Sequence, residues 1–173
     1  YGENAKTPRY DVIAGVEATV TYAAQGSSDF STTVPTNAGS YTVKVQYETA
    51  IEIHTGTANF TIAPKTLTKD DLIHSGPITK VYDGSTNAPS GLTVSVKHDS
   101  LVGSDTLAVS GTLKYNSANV NEAKQIIFTP TAITTGNYAL AATEVLTITE
   151  AAITKAKQAP LTVTSTDATY GTD

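Results

Sequence analysis

Apolar and polar residues alternate with a period of two along most of this chain. In Val16 to Ala23 (VEATVTYA), Ser40 to Glu48 (SYTVKVQYE) and Ala58 to Ala63 (ANFTIA), apolar side chains stand at every second position. That is the spacing of a strand with one face buried. The same alternation marks Leu92 to Lys97, Thr106 to Tyr115, Lys124 to Ile133 and Glu144 to Thr154. Turn-forming runs separate these segments: Thr36 to Ser40 (TNAGS), His98 to Asp105 (HDSLVGSD), Asn116 to Asn121 (NSANVN) and Thr134 to Asn137 (TTGN). No segment holds an apolar stripe at helical spacing; Asn121 to Ile127 could open a helical turn, but the residues after it read as strand. Short strands with polar turns between them predict a sandwich or barrel.

Repetition divides the chain. Tyr1-Gly2, Tyr82-Asp83-Gly84 and Tyr170-Gly171 are three related landmarks, and Ala63 to Thr68 (APKTLT) returns as Ala159 to Thr164 (APLTVT). A period of this size fits one small β-domain. Each Ala-Pro pair reads as a joint followed by a first strand. The expected organisation is a unit at 1–64 that lacks its first strand, a second unit at 65–156, and a segment at 157–173 that is a linker and the first strand of a further repeat. The fold class expected is all-β, two tandem antiparallel sandwiches. A β-grasp arrangement of one unit is the alternative, and the missing helical stripe counts against it.

Composition supports strands: 31 of the 173 residues are threonine, charged residues are 16%, and Val, Ile and Tyr are frequent. The chain has no cysteine, which excludes disulfides and thiolate metal sites. A net charge of −5, with 11 scattered basic residues, provides no positive stripe for phosphates, so nucleic acid is not an expected partner. No apolar run approaches the ~20 residues of a membrane-spanning helix, and no direct membrane insertion is expected.

Two stretches resemble known families. Lys80 to Pro89 (KVYDGSTNAP), Gly103 to Asn121 (GSDTLAVSGTLKYNSANVN), Gly136 to Leu140 (GNYAL) and Leu146 to Ala156 (LTITEAAITKA) resemble the YDG domain of large bacterial surface proteins. Tyr1 to Asn4 (YGEN), Val34 to Val45 (VPTNAGSYTVKV) and Ala58 to Thr68 resemble the MBG repeat found in the same arrays. The resemblance implies Ig-like β-sandwich repeats at the bacterial cell surface, outside the cell. It implies no active site and no cofactor.

The motif residues read as structural. Gly84 supplies a backbone conformation that side chains disfavour, Asp83 hydrogen-bonds its own turn, and Tyr82 packs its ring while keeping its hydroxyl wet. Tyr1, Gly2, Tyr170 and Gly171 are expected to play the same part. Asn37, Gly39 and Tyr41 form a turn that enters a strand, and Gly136, Asn137 and Tyr138 a second one. His54, His74 and His98 lack the paired spacing of a metal site. Asp70, Asp71, Asp99 and Asp105 could contribute oxygen ligands to calcium, but they form no recognisable calcium loop. Nothing in the chain pairs a lysine with an asparagine for an intramolecular amide cross-link. No catalytic or metal-binding residue is assigned.

The function expected is therefore non-enzymatic: a stalk or spacer repeat of an adhesin-like protein. Its partners would be neighbouring repeats of the same chain, with possible head-to-tail strand exchange through residues 160–170. The alternative is a module that itself binds host glycan or protein, through tyrosines near Tyr10 or Tyr138.

Overall fold

In the computed structural model, which describes residues 1–2, 8–11, 15–134 and 136–164, the alternating runs become strands. The first three are β1 (Thr19–Ala24), β2 (Gly39–Glu48) and β3 (Ile53–Ile62), an antiparallel sheet in the order β1-β2-β3. Its register sets Tyr22 and Ala58 beside Val43, and Phe60 beside Tyr41, on one face; Thr21, Thr42, Lys44, Thr57 and Asn59 occupy the other. The period-two pattern thus sorts an apolar face from a threonine-rich one. Phe60 stacks on Tyr41 at 5.6 Å and meets Tyr22 edge-on at 6.2 Å. Among the described residues little covers this sheet: of its strand residues, Ala23 and Val43 are the buried ones.

The rest of the described chain forms a body of small sheets. Its strands are β4 (Lys65–Leu67), β5 (Leu72–Ser75), β6 (Thr79–Val81), β7 (Thr93–Val96), β8 (Gly111–Tyr115), β9 (Gln125–Pro130), β10 (Tyr138–Leu140), β11 (Leu146–Thr149) and β12 (Ala152–Thr154). The pairings are β11-β9-β8, β10-β4, β12-β6 and β5-β7. Two short 3-10 turns, Lys69–Asp71 and His98–Ser100, are tied together where the Ser100 hydroxyl donates to Asp71 Oδ1 (2.7 Å).

The all-β expectation holds. The expectation of antiparallel pairing throughout needs correction, because β10-β4 and β12-β6 are parallel. Side-chain alternation is the same in both kinds of pair; only the long crossover between the partners sets their direction. The run from Glu144 to Thr154, read as one strand, is two. Glu150 adopts a positive φ of 62°, and the chain leaves β9 there to join β6.

Two apolar clusters fill the body. Ile126, Tyr115, Leu92, Ile148 and Ile153 form one; Phe128, Leu67, Leu72, Tyr138 and Leu140 form the other. Alternate residues of β9 supply Ile126 to the first cluster and Phe128 to the second, while Leu113 and Leu146 pack against both. A fully buried aliphatic side chain stabilises by roughly 1.5–3 kcal/mol. The stability of the described residues therefore sits mainly in the body rather than in the β1-β2-β3 sheet.

Candidate functional site

The side chains with specific geometry gather in two places. One is the joint between sheet and body, where only Ala63 and Pro64 separate β3 from β4. The Tyr1 backbone nitrogen donates to Ala63 O (2.7 Å), and its hydroxyl donates to Asp105 Oδ2 (2.7 Å). The Tyr138 hydroxyl donates to the same oxygen (2.9 Å) and accepts from Val102 N (2.7 Å). The two rings meet edge to face at 5.6 Å. Such a ring pair adds about 0.5–1.5 kcal/mol beyond its buried area. Gly2 has φ +85°, and a Cβ there would stand 2.7 Å from Val102 Cγ2, so both its conformation and its surroundings call for glycine.

The two resembling turns face each other across this joint. Asn137 accepts from Lys65 N through its backbone oxygen (2.8 Å), accepts from Ala38 N through Oδ1 (2.8 Å), and donates from Nδ2 to Asn37 Oδ1 (3.0 Å). Asn37 in turn accepts the Tyr41 hydroxyl at its backbone oxygen (3.0 Å), and Gly39 lies against the Tyr41 ring. One asparagine thus bonds to both sides of the joint.

The pair of tyrosines responds to its setting. The hydrogen bond to Asp105, followed by burial, raises the Tyr1 hydroxyl above the ordinary tyrosine range. For Tyr138 burial is the main cause of the rise, with Asp105 adding to it.

The second place is the turn Tyr82-Asp83-Gly84. Asp83 Oδ1 accepts from Lys80 Nζ (2.7 Å), Ser85 N (2.9 Å) and Ser85 Oγ (3.0 Å). The Lys80 bond leads these in holding the carboxyl down, to a pKa of about 2. Lys80 is itself tucked in, its side chain 10% exposed, with Nζ 5.6 Å from the centre of the Tyr115 ring. Gly84 takes φ +77° to close the turn. Tyr82 donates its backbone N–H to Thr154 O (2.8 Å) and leaves its ring half in solvent.

Of the residues singled out in sequence, the fold brings Tyr1, Gly2, Asn37, Asn137 and Tyr138 together, with Gly39, Tyr41 and Gly136 beside them. Tyr82, Asp83 and Gly84 form their own turn. Tyr170 and Gly171 lie outside the described residues. Tyr138, considered as a glycan-stacking residue, is 4% exposed and lies within the core; Tyr10 is 42% exposed. Among the calcium candidates, Asp105 is engaged by two tyrosines, Asp71 by Ser100 and Thr68, and Asp70 by Lys69. Among the described residues no three His, Asp or Glu side chains converge.

Asp105 is the joint residue that sequence reasoning missed as such. Its partners lie 33 and 104 positions away, and no local pattern signals them. Beside it opens a shallow groove of about 460 Å³, lined by Ser104, Thr106, Leu107 and Asn137 among others. The chemistry of this site is hydrogen bonding and packing; it holds two pieces of chain in one orientation.

Comparison with known families places residues 63–145 in agreement with the family model of the YDG domain. No curated protein and no solved structure matches the chain. The matched segment stops at β11, yet β11 pairs back to β9 and β12 to β6, so the folded body runs on past the match.

Proposed function

We propose that this protein is a non-enzymatic spacer: consecutive β-repeats that form a semi-rigid segment of a repetitive bacterial surface protein. The likeness of residues 1–64 to the MBG repeat, and placement outside the cell, belong to the same proposal. The observation that carries it is the joint. A two-residue Ala-Pro connection restricts the chain, since proline holds its own φ near −65°. Asn137 then adds side-chain bonds across it, to Ala38 N and to Asn37 Oδ1. Each such bond contributes on the order of 0.5–1.5 kcal/mol, enough together to favour one orientation over free swivelling. A rod needs that property, and a string of independent modules does not.

The test is the distribution of distances between spin labels placed at Thr57 and Thr147, exposed residues of the sheet and the body. The expected result is one narrow distribution, broadened in Asn137→Ala. A broad distribution in the unaltered protein defeats the spacer reading. So does reproducible binding in a glycan array that is lost when one surface patch is changed, because it would make the protein a binding module.

A further inference from the structure

Residues 159–164 repeat a segment whose docked form is already present in the fold. The hexapeptide APKTLT at 63–68 contributes β4, which lies parallel to β10 with Leu67 beside Leu140. Leu67 is 1% exposed. The second copy, APLTVT at 159–164, keeps four of the six residues and places leucine and valine two positions apart, at 161 and 163. Val163 occupies the place of Leu67, yet it is 80% exposed, and Leu161 is 84% exposed. Two large apolar side chains on one face of an extended segment, both in water, suit a strand whose partner is elsewhere.

A receiving edge exists on the same molecule. Among the described residues β3 pairs with β2 on one side and with nothing on the other. Its ten residues, Ile53–Ile62, contain no proline, lysine, arginine or carboxylate. Exposed edges are commonly blunted by such residues, and this one is not. Next to it lies the apolar face that carries Phe60, Tyr41 and Tyr22, only partly covered. A strand added to β3 satisfies its free N–H and C=O groups and extends that face with two more apolar side chains. Among the described residues the segment at 159–164 pairs with no strand, and the sheet of a second copy offers it an edge.

We infer that residues 159–164 of one molecule add as a fourth strand to β3 of a second copy of this chain, with Leu161 and Val163 on the side of Phe60. The contact joins two different surfaces, so it is head-to-tail and repeats without closing, giving linear assemblies. This pairing stands whether or not the protein serves as a spacer.

Sedimentation analysis of the full chain over a range of concentrations tests it. The average mass of the unaltered protein is expected to rise with concentration. Leu161→Asp/Val163→Asp removes the donor on exposed positions that no core depends on, and is expected to weaken self-association about tenfold or more. Thr57→Pro blocks the receiving edge. An equimolar mixture of the two variants, one with an intact edge and one with an intact donor, is expected to give a one-to-one complex that grows no further. Should Thr57→Pro fail to fold, the peptide APLTVT added to the unaltered protein serves instead, and it is expected to cap the assemblies. An unaltered protein that keeps the monomer mass to millimolar concentration overturns the inference, as does association that the double variant leaves undiminished.

Discussion

Asp83 shows how much one charged residue does in this fold. Its carboxylate is bound by Lys80 and by two groups of Ser85, and its pKa lies at about 2 against an ordinary value of 3.8. A folded-state pKa below the unfolded one means that the unfolded chain takes up the proton first. The stabilisation is therefore complete above about pH 4 and is lost as pH falls towards 2. Asp83→Asn is expected to melt at a lower temperature than the unaltered protein at pH 7, and the two melting curves should converge near pH 2; thermal denaturation at both values checks this. A gap unchanged by pH would mean that the carboxylate's charge plays no part. The turn was legible in the sequence because aspartate and glycine serve turns through local backbone geometry. Lys80, three residues before Asp83, was not singled out: its bonds to Asp83 and Ser85 are local, but its burial beside the Tyr115 ring comes only with folding.

Among the elements, β4 and β10 carry the least expected pairing. Each is three residues long, and they lie parallel. Leu140 is fully buried between Leu67 and the rest of its cluster. Leu140→Ala removes three heavy atoms from a site with no slack and is expected to cost about 2–5 kcal/mol, read as a shift in the urea unfolding midpoint. A cost below about 1 kcal/mol would show that the pairing is peripheral to stability. The alternating runs of β1, β2, β3, β7, β8 and β9 could be read from sequence, because a period of two survives any choice of partner. The short strands β5 and β6 could not. Leu72 to Ser75 and Thr79 to Val81 show no alternation, unlike the equally short β7 within Leu92 to Lys97, and their strand state comes from the neighbours they pair with.

For the whole molecule the decisive feature is the joint, and its chemistry predicts a response to alkali. The hydroxyls of Tyr1 and Tyr138 both donate to Asp105, and both titrate above the ordinary tyrosine range. Their raised pKa means that the contribution is complete below about pH 10 and is lost as pH rises past it, when the phenolate can no longer donate and repels the carboxylate. Tyr1 is therefore expected to come away from the body above about pH 10, read from the loss of nuclear Overhauser contacts between the Tyr1 and Tyr138 rings. Asp105→Asn should reduce that sensitivity, since the repulsion would be gone. Ring contacts that are indifferent to pH between 7 and 11 would show that these hydroxyls do not hold Tyr1 to the body.

The period-two alternation and the absence of helical stripes were enough to determine an all-β chain, and local residue types marked its turns at Asn37, Gly84 and Gly136. Each of those depends on a residue and its near neighbours, and so is written locally. Tertiary structure alone decided which strands run parallel, that Glu150 splits one apparent strand into two, and that Tyr138 is buried beneath Tyr1 instead of offered to a ligand. It also decided that Asp105 joins tyrosines 33 and 104 positions away. These are contacts between distant segments, set by how surfaces fit once the chain has collapsed, and no short window of sequence contains both partners.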